Sequence, residues 1–389
     1  MRPPLIVLLC AVAFVYTFSI GAFPSLLPEI ARSGGIPDWQ LGIFAGAFGF
    51  ARMVADLPVG LFIVRHLRAG FIAGPIVFGV GVLVLSVSDG FAGLFAGRAL
   101  MGVGHALNML SGLTAILHAY ATRRLPVALN AFEFSAMLGL LGGASLSALL
   151  PDTFAWKVVL LTACAPQLFA FALLPVVLAR LPRRFESSGT PTMPSSVSPS
   201  RRRTGLVSLA FAAGCATALS YSSVEQLELP IRGSREFGLD RAGIARLFML
   251  MMACDIVALL PIGILADRTG SIRVVAGVMF SLAAGSMLIT FAPLPGVTAG
   301  VVLFGLGMAG WMIPLSVLRR ETPPGRVAWR TAVYRVGVDA GMFAGPLLGG
   351  LLAGRHLVVI ALALTVIGIA LLRVERLGEP ALQPVQYPP

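Results

Sequence analysis

Apolar runs of twenty-odd residues follow one another along the whole chain, separated by short breaks that carry arginine. This pattern leaves few folds open. A bilayer core of ~30 Å is crossed by ~20 apolar helical residues. In lipid every backbone N–H and C=O must be satisfied within the protein, so only helices and closed barrels span it. Barrel strands would alternate apolar and polar residues, and these runs do not. The runs therefore read as membrane helices. Only 12% of the residues are charged, about half the density of a soluble domain.

Twelve spans are expected, at 4–27, 40–64, 70–88, 91–118, 125–149, 157–179, 205–224, 242–265, 272–291, 297–318, 331–352 and 356–372. The first run is too long for the apolar region of a signal peptide, and no clear cleavage site follows it. Residues 181–204 are rich in Pro, Ser and Arg and lack apolar periodicity, as flexible linkers do. The expected organisation is a six-helix half over 1–180, a linker over 181–204, a second half over 205–373 and a tail over 374–389.

The net charge of +12 does not read as a nucleic-acid surface, because the arginines sit in short loops between apolar runs. With the N-terminus inside, the cytoplasmic breaks collect 19 Lys or Arg residues and the opposite breaks 6. The positive-inside rule then places both termini in the cytoplasm of a bacterial inner membrane. Cys10, Cys164, Cys215 and Cys254 all lie within apolar runs at no metal-binding spacing, so no disulfide, metal or cofactor is expected.

The halves repeat. Span 2 ends in PVGLFIVRHLRAG from Pro58 and span 8 in PIGILADRTGSIR from Pro261, 203 residues on. At the same offset Gly102 and Gly104 of span 4 match Gly305 and Gly307 of span 10. At an offset of 202, Gly139 of span 5 matches Gly341 of span 11. Such repeats mark secondary transporters, and these glycines are read as close helix contacts rather than ligands.

Three segments also carry a resemblance. PIGILADRTG is similar to the cytoplasmic loop signature G-x-x-x-D-R-x-G of the major facilitator superfamily, at Gly263, Asp267, Arg268 and Gly270. RALMGVGHA resembles its R-x-x-x-G-x-G motif, at Arg98, Gly102 and Gly104. GMFAGPLLGG in span 11 resembles its G-x-x-x-G-P-x-x-G-G motif. The resemblance implies an all-α transmembrane bundle of twelve helices, built as two pseudo-symmetric six-helix halves. It implies that spans 3, 6, 9 and 12 lie outermost and that the Asp267–Arg268 loop biases the outward-open state. It also associates Arg98 with proton transfer. The first-half loop departs from the signature: Val64 and Leu67 stand at the Asp and Gly positions, leaving Gly60, Arg65 and Arg68. Span 5 reads GLLGGASLS, without the proline that the family's antiporters usually carry there.

An ionisable group in the bilayer core costs about 3 kcal/mol or more unless paired or hydrated, so each one is a functional candidate. The spans hold Arg52 and Asp56 (span 2), Arg98 (span 4), Glu133 (span 5), Asp255 (span 8), and Arg335 and Asp339 (span 11), whereas spans 3, 6, 9 and 12 hold no core charge. Arg52 and Asp56 are four apart and share a helix face, as do Arg335 and Asp339. Each pair reads either as a local ion pair or as a gate pair that exchanges partners between the halves. By the repeat, Arg52 corresponds to Asp255 and Arg335 to Glu133, so these opposite charges either pair across the halves or hold a zwitterionic substrate. An apolar surrounding disfavours an ionised carboxylate, which makes Glu133, Asp255 and Asp339 the candidates for proton binding. Trp311 in span 10 is a further cavity candidate, with Tyr221 and Ser222 behind it.

These readings converge on a monomeric secondary transporter for a small organic solute, coupled to protons and favouring efflux. The alternative is a proton-symport uptake permease for an anionic or zwitterionic metabolite. No G-x-x-x-x-G-K-[ST] occurs to bind ATP. An intramembrane enzyme is the remote alternative, because the four histidines are scattered and neither H-E-x-x-H nor G-x-S-x-G occurs.

Overall fold

The structure, a computed structural model, describes residues 4–119, 125–181, 201–323, 326–352 and 355–376. Fourteen α-helices are described and no strand. They are α1 (Leu5–Gly34), α2 (Asp38–Val87), α3 (Phe91–Ala119), α4 (Leu125–Leu149), α5 (Trp156–Cys164), α6 (Gln167–Arg180) and α7 (Arg201–Ser223). After a π-helical turn (Val224–Glu228) come α8 (Leu229–Arg235), α9 (Arg241–Thr269), α10 (Ser271–Phe291), α11 (Leu294–Met308), α12 (Ile313–Arg320), α13 (Val327–Leu352) and α14 (Arg355–Arg376).

Ten of the described helical stretches are long and apolar enough to cross a bilayer. Three of these join shorter pieces: α5 with α6, α7 with the π-turn and α8, and α11 with α12. The fifty-residue α2 holds two spans, because its path breaks at His66 (φ −133°, ψ 47°). Phe48 and Phe78 from its two arms lie against Gly102 and Gly104 of α3, so the arms run back side by side. The 26-residue α13, charged by Arg330, Arg335 and Asp339, completes twelve. Span 7 is longer than expected, continuing past residue 224 to Arg235. The expected linker falls largely on residues 182–200, outside the described residues.

The repeat seen in the sequence recurs in the packing. A Cβ on Gly102 would meet the Phe48 carbonyl and Ala51, and one on Gly305 would meet the Met251 carbonyl and Cys254, 203 residues on in each case. Gly143 of α4 lies against Phe18 and Ala22 of α1, and Gly345 of α13 against Leu219 and Ser223 of α7. Two inter-half seams follow, α2 against α13 and α4 against α9. Spans 6, 9 and 12, which carry no core charge, make their main contacts within their own halves.

The two cytoplasmic-type turns differ in chemistry. Gly270 sits at φ 98°, a conformation that L side chains rarely adopt, so the second-half turn requires its glycine. The first-half turn is made at His66 with negative φ, which explains why Leu67 is accommodated there. Trp156, at the start of α5, is buried and donates from Nε1 to Ser33 Oγ at 3.0 Å.

The glycine contacts set a stability test. A Cβ on Gly143 would overlap the Phe18 carbonyl, whereas nothing lies within 4 Å of one on Gly79. Gly143→Ala is expected to cost about 1–3 kcal/mol through overpacking and to lower the thermal midpoint in detergent. Gly79→Ala should leave that midpoint unchanged.

Candidate functional site

The α2–α13 seam is drawn close by glycines: a Cβ on Gly42 would overlap the Pro346 carbonyl, and one on Gly350 the Asp38 carbonyl. Lower in this seam sit Arg52, Asp56, Arg335 and Asp339. The local pairs that the four-residue spacing allows are not the pairs formed. Arg52 Nη2 reaches Asp339 Oδ1 at 2.8 Å, and Arg335 Nη2 reaches Asp56 Oδ2 at 3.1 Å. Arg335 Nε also donates to the same Asp56 oxygen at 3.3 Å. Each arginine thus crosses to the other half. The Asp339 side chain is 1% exposed and that of Asp56 6%. Removing either arginine leaves its aspartate as an uncompensated buried charge, typically a loss of about 3–5 kcal/mol. Arg52 does not pair with Asp255, nor Arg335 with Glu133, as the repeat offset suggested.

Arg98 of α3 is fully buried, 1% exposed. Its guanidinium lies over the Phe23 ring at 3.4 Å from the centroid and over Phe48 at 4.9 Å. Such desolvated cation–π contacts are worth about 2 kcal/mol or more. Nη2 donates to Gln226 Oε1 at 2.9 Å, across to the other half, while Nε and Nη1 have no hydrogen-bond partner. Glu225 lies within electrostatic reach of it. Glu225 and Gln226 are presented by the π-turn of span 7, a distortion common at functional sites. Sequence reasoning missed both by ending span 7 at residue 224. The signal was there: Leu227, Leu229 and Ile231 continue the apolar run, and Leu227 and Ile231 pack with a first-half cluster around Phe23 and Phe44.

In the α4–α9 seam, Asp255 lies within electrostatic reach of Glu133. Asp255 is 6% exposed and its Oδ1 has no hydrogen-bond partner. Trp311 lies in a break between α11 and α12 and packs against the second-half apolar core, half-buried. Tyr221 neighbours Glu225, and Ser222 Oγ donates to the Gly341 carbonyl at 3.3 Å.

The Arg-poor end of the bundle is latched. The Arg241 side chain is wholly buried between the halves, 3.2 Å from Glu29 and hydrogen-bonded to the Leu150, Pro151 and Phe154 carbonyls. It thereby ties α9 to the segment that follows α4, beside the helix end whose dipole favours a cation. Arg235 makes a two-pronged pair with Asp38 at 2.7 and 3.1 Å. In the sequence, Arg241 and Arg235 read only as loop charges. At the Arg-rich end, Gly263, Asp267, Arg268, Arg65 and Arg68 are exposed. Arg68 donates to the Leu181 carbonyl, and neither Asp267 nor Arg268 forms a salt bridge to a described residue. Among the described residues no group of His, Cys, Asp or Glu is placed to hold a metal ion.

Known proteins agree with this architecture. The family model of the Major Facilitator Superfamily matches residues 9–234 and 229–386. An uncharacterized MFS-type transporter of Escherichia fergusonii, YcaD, is 24% identical over 79% of this chain and 77% of its own length. One from Yersinia pestis is 24% identical over 91% of this chain and 90% of its own. Among solved structures, a peptide transporter POT in complex with sulfate superposes with a TM-score of 0.79 at 13% identity, covering 96% of each chain. A POT family transporter in complex with 5-aminolevulinic acid gives 0.78 at 14%, covering 95% of each. The human organic anion transporter MFSD10 gives 0.64 at 18%, over 97% of this chain and all of that one. With the family model covering most of its length and the twelve-span bundle in place, the chain belongs to the Major Facilitator Superfamily, as a multi-pass membrane transporter.

Proposed function

We propose that this protein moves a small organic solute across a bacterial inner membrane by alternating access, coupled to protons and in the export direction. The reading rests on one observation: the halves are latched at the Arg-poor end, while the Asp267–Arg268 loop at the other end makes no salt bridge to a described residue. That is one of the two end states an alternating-access cycle requires. The units that rock are the halves 1–180 and 205–373, working as a monomer, with the Arg-rich end and both termini in the cytoplasm. The family signature assigns Asp267 and Arg268, with Gly263 and Gly270, to closing the cytoplasmic end in the opposite state, with Arg65 and Arg68 on the facing half.

Proton coupling is supported by the excess of buried carboxylates. Arg52, Arg98 and Arg335 stand against Asp56, Glu133, Glu225, Asp255 and Asp339. Arg52 and Arg335 are committed to Asp339 and Asp56, which leaves Glu133, Asp255 and Glu225 as the proton-binding candidates. An uptake permease for a zwitterionic metabolite is the second reading, favoured by the presence of guanidinium and carboxylate groups in one core.

Reconstituted vesicles with a trapped pH dye test the coupling. Solute flux is expected to move protons and to stop when a protonophore collapses the gradient. Solute flux with no proton movement would reject it.

Asp267→Ala should insert normally yet lower transport about tenfold or more, while the latched end stays closed. Unchanged transport would remove the loop from the gating role.

The crossed pairs make a third expectation. Asp339→Asn removes the carboxylate partner of Arg52 and should lower the thermal midpoint in detergent. The exchanged double variant Arg52→Asp/Asp339→Arg should recover more than half of that loss. Failure to recover would mean that the pair does not hold the seam.

A further inference from the structure

The repeat that relates the two halves also relates their two seams. Spans 2 and 5 correspond to spans 8 and 11, so the α2–α13 seam has the α4–α9 seam as its pseudo-symmetric mate. In the first seam four charges cancel in crossed pairs. In the second, the charges are inverted and form no salt bridge among the described residues. Arg52 is replaced by Asp255 and Arg335 by Glu133, whereas Asp56 and Asp339 are replaced by Leu259 and Met137. Where one seam carries two arginines and two aspartates, the other carries two carboxylates and two apolar side chains.

A third carboxylate joins them from the π-turn. Glu225 acts electrostatically on Asp255, is 3% exposed, and has an Oε2 with no hydrogen-bond partner. The groups facing this cluster are few. Tyr221 neighbours Glu225 from α7, Arg98 acts on Glu225 from α3, and Arg52 and Arg335 act on Glu133 from the opposite seam. Arg98 is held by Gln226 and two rings, and the other two arginines by their aspartates. Negative charge is thus in excess at a buried seam, where an unpaired ion is costly. No set of metal-ligating side chains is assembled among the described residues. Leu259 and Met137 stand one helical turn beyond Asp255 and Glu133, on the same faces. A ligand matched to this pattern carries a positive charge on an apolar body.

We infer that the α4–α9 seam, through Glu133 and Asp255 with Glu225 behind them, is the binding site for an organic cation. This deepens the transporter reading and rests on it for its role in transport. The probe is radiolabelled tetraphenylphosphonium, measured as binding to the purified full-length protein displaceable by excess unlabelled cation. Wild-type protein and Glu236→Gln, a control at an exposed acid, should bind alike. Asp255→Asn and Glu133→Gln should each weaken binding tenfold or more, and Asp255→Glu should hold it within about threefold, which separates lost charge from misfolding. Absence of displaceable binding to the wild type, or full binding by both neutral variants, overturns the site. Flux of an anionic or neutral solute that Asp255→Asn retains would overturn it too and leave the transporter reading standing. Binding as expected with no flux of any solute would uphold the site and sink that reading instead.

Discussion

Two arginine–aspartate pairs crossing from α2 to α13 are the contact on which the arrangement of the halves depends. A charge at membrane depth has no water to turn to, so its partner fixes where the helix carrying it can sit. Had Arg52 paired with Asp56 and Arg335 with Asp339, each half would have been electrically complete and free to slide. Exchange of partners makes each half complete only when the other is present. The glycines at positions 42 and 350 make the exchange possible, because the backbones must approach before the side chains can reach across. Cost and benefit are both large at this depth, so the pairs act as a register device as much as a source of stability.

The remaining inter-half contacts follow from that register. With α2 and α13 closed upon one another, span 7 brings its π-turn against Arg98, and Leu227 and Ile231 enter the first-half core. The start of α9 comes over the end of α4, where Arg241 donates to the carbonyls of the residues that follow that helix. The two seams are then related by the repeat and unlike in charge: two arginines and two aspartates meet in one, and Glu133 and Asp255 stand in the other.

Much of this was legible in the residues. The spans could be read because length and apolarity are local properties, and the twelve-span count survived the three helices that break within the membrane. The repeat could be read because Gly102, Gly104, Gly139 and their mates do the same steric work in both halves, so their spacing persisted. Asp56, Asp339 and Asp255 stood out because an acid within an apolar run is too costly to persist without a partner or a task. Glu225 and Arg241 escaped because each lies where an apolar run thins out, and a charge near a span end looks like a loop. Burial there is conferred by the opposite half.

The sequence by itself determined the twelve membrane spans, their pairing into two related halves and the helices that carry charge. Each of these depends on a side chain and its neighbours along one helix. Only the tertiary structure decided which charge meets which. Arg52 has Asp56 one turn away and Asp339 287 residues away in the chain, and the spacing favours the first. The close packing of α2 on α13 brings the second to 2.8 Å, and an ion in a low-dielectric seam goes to the partner that packing places within reach.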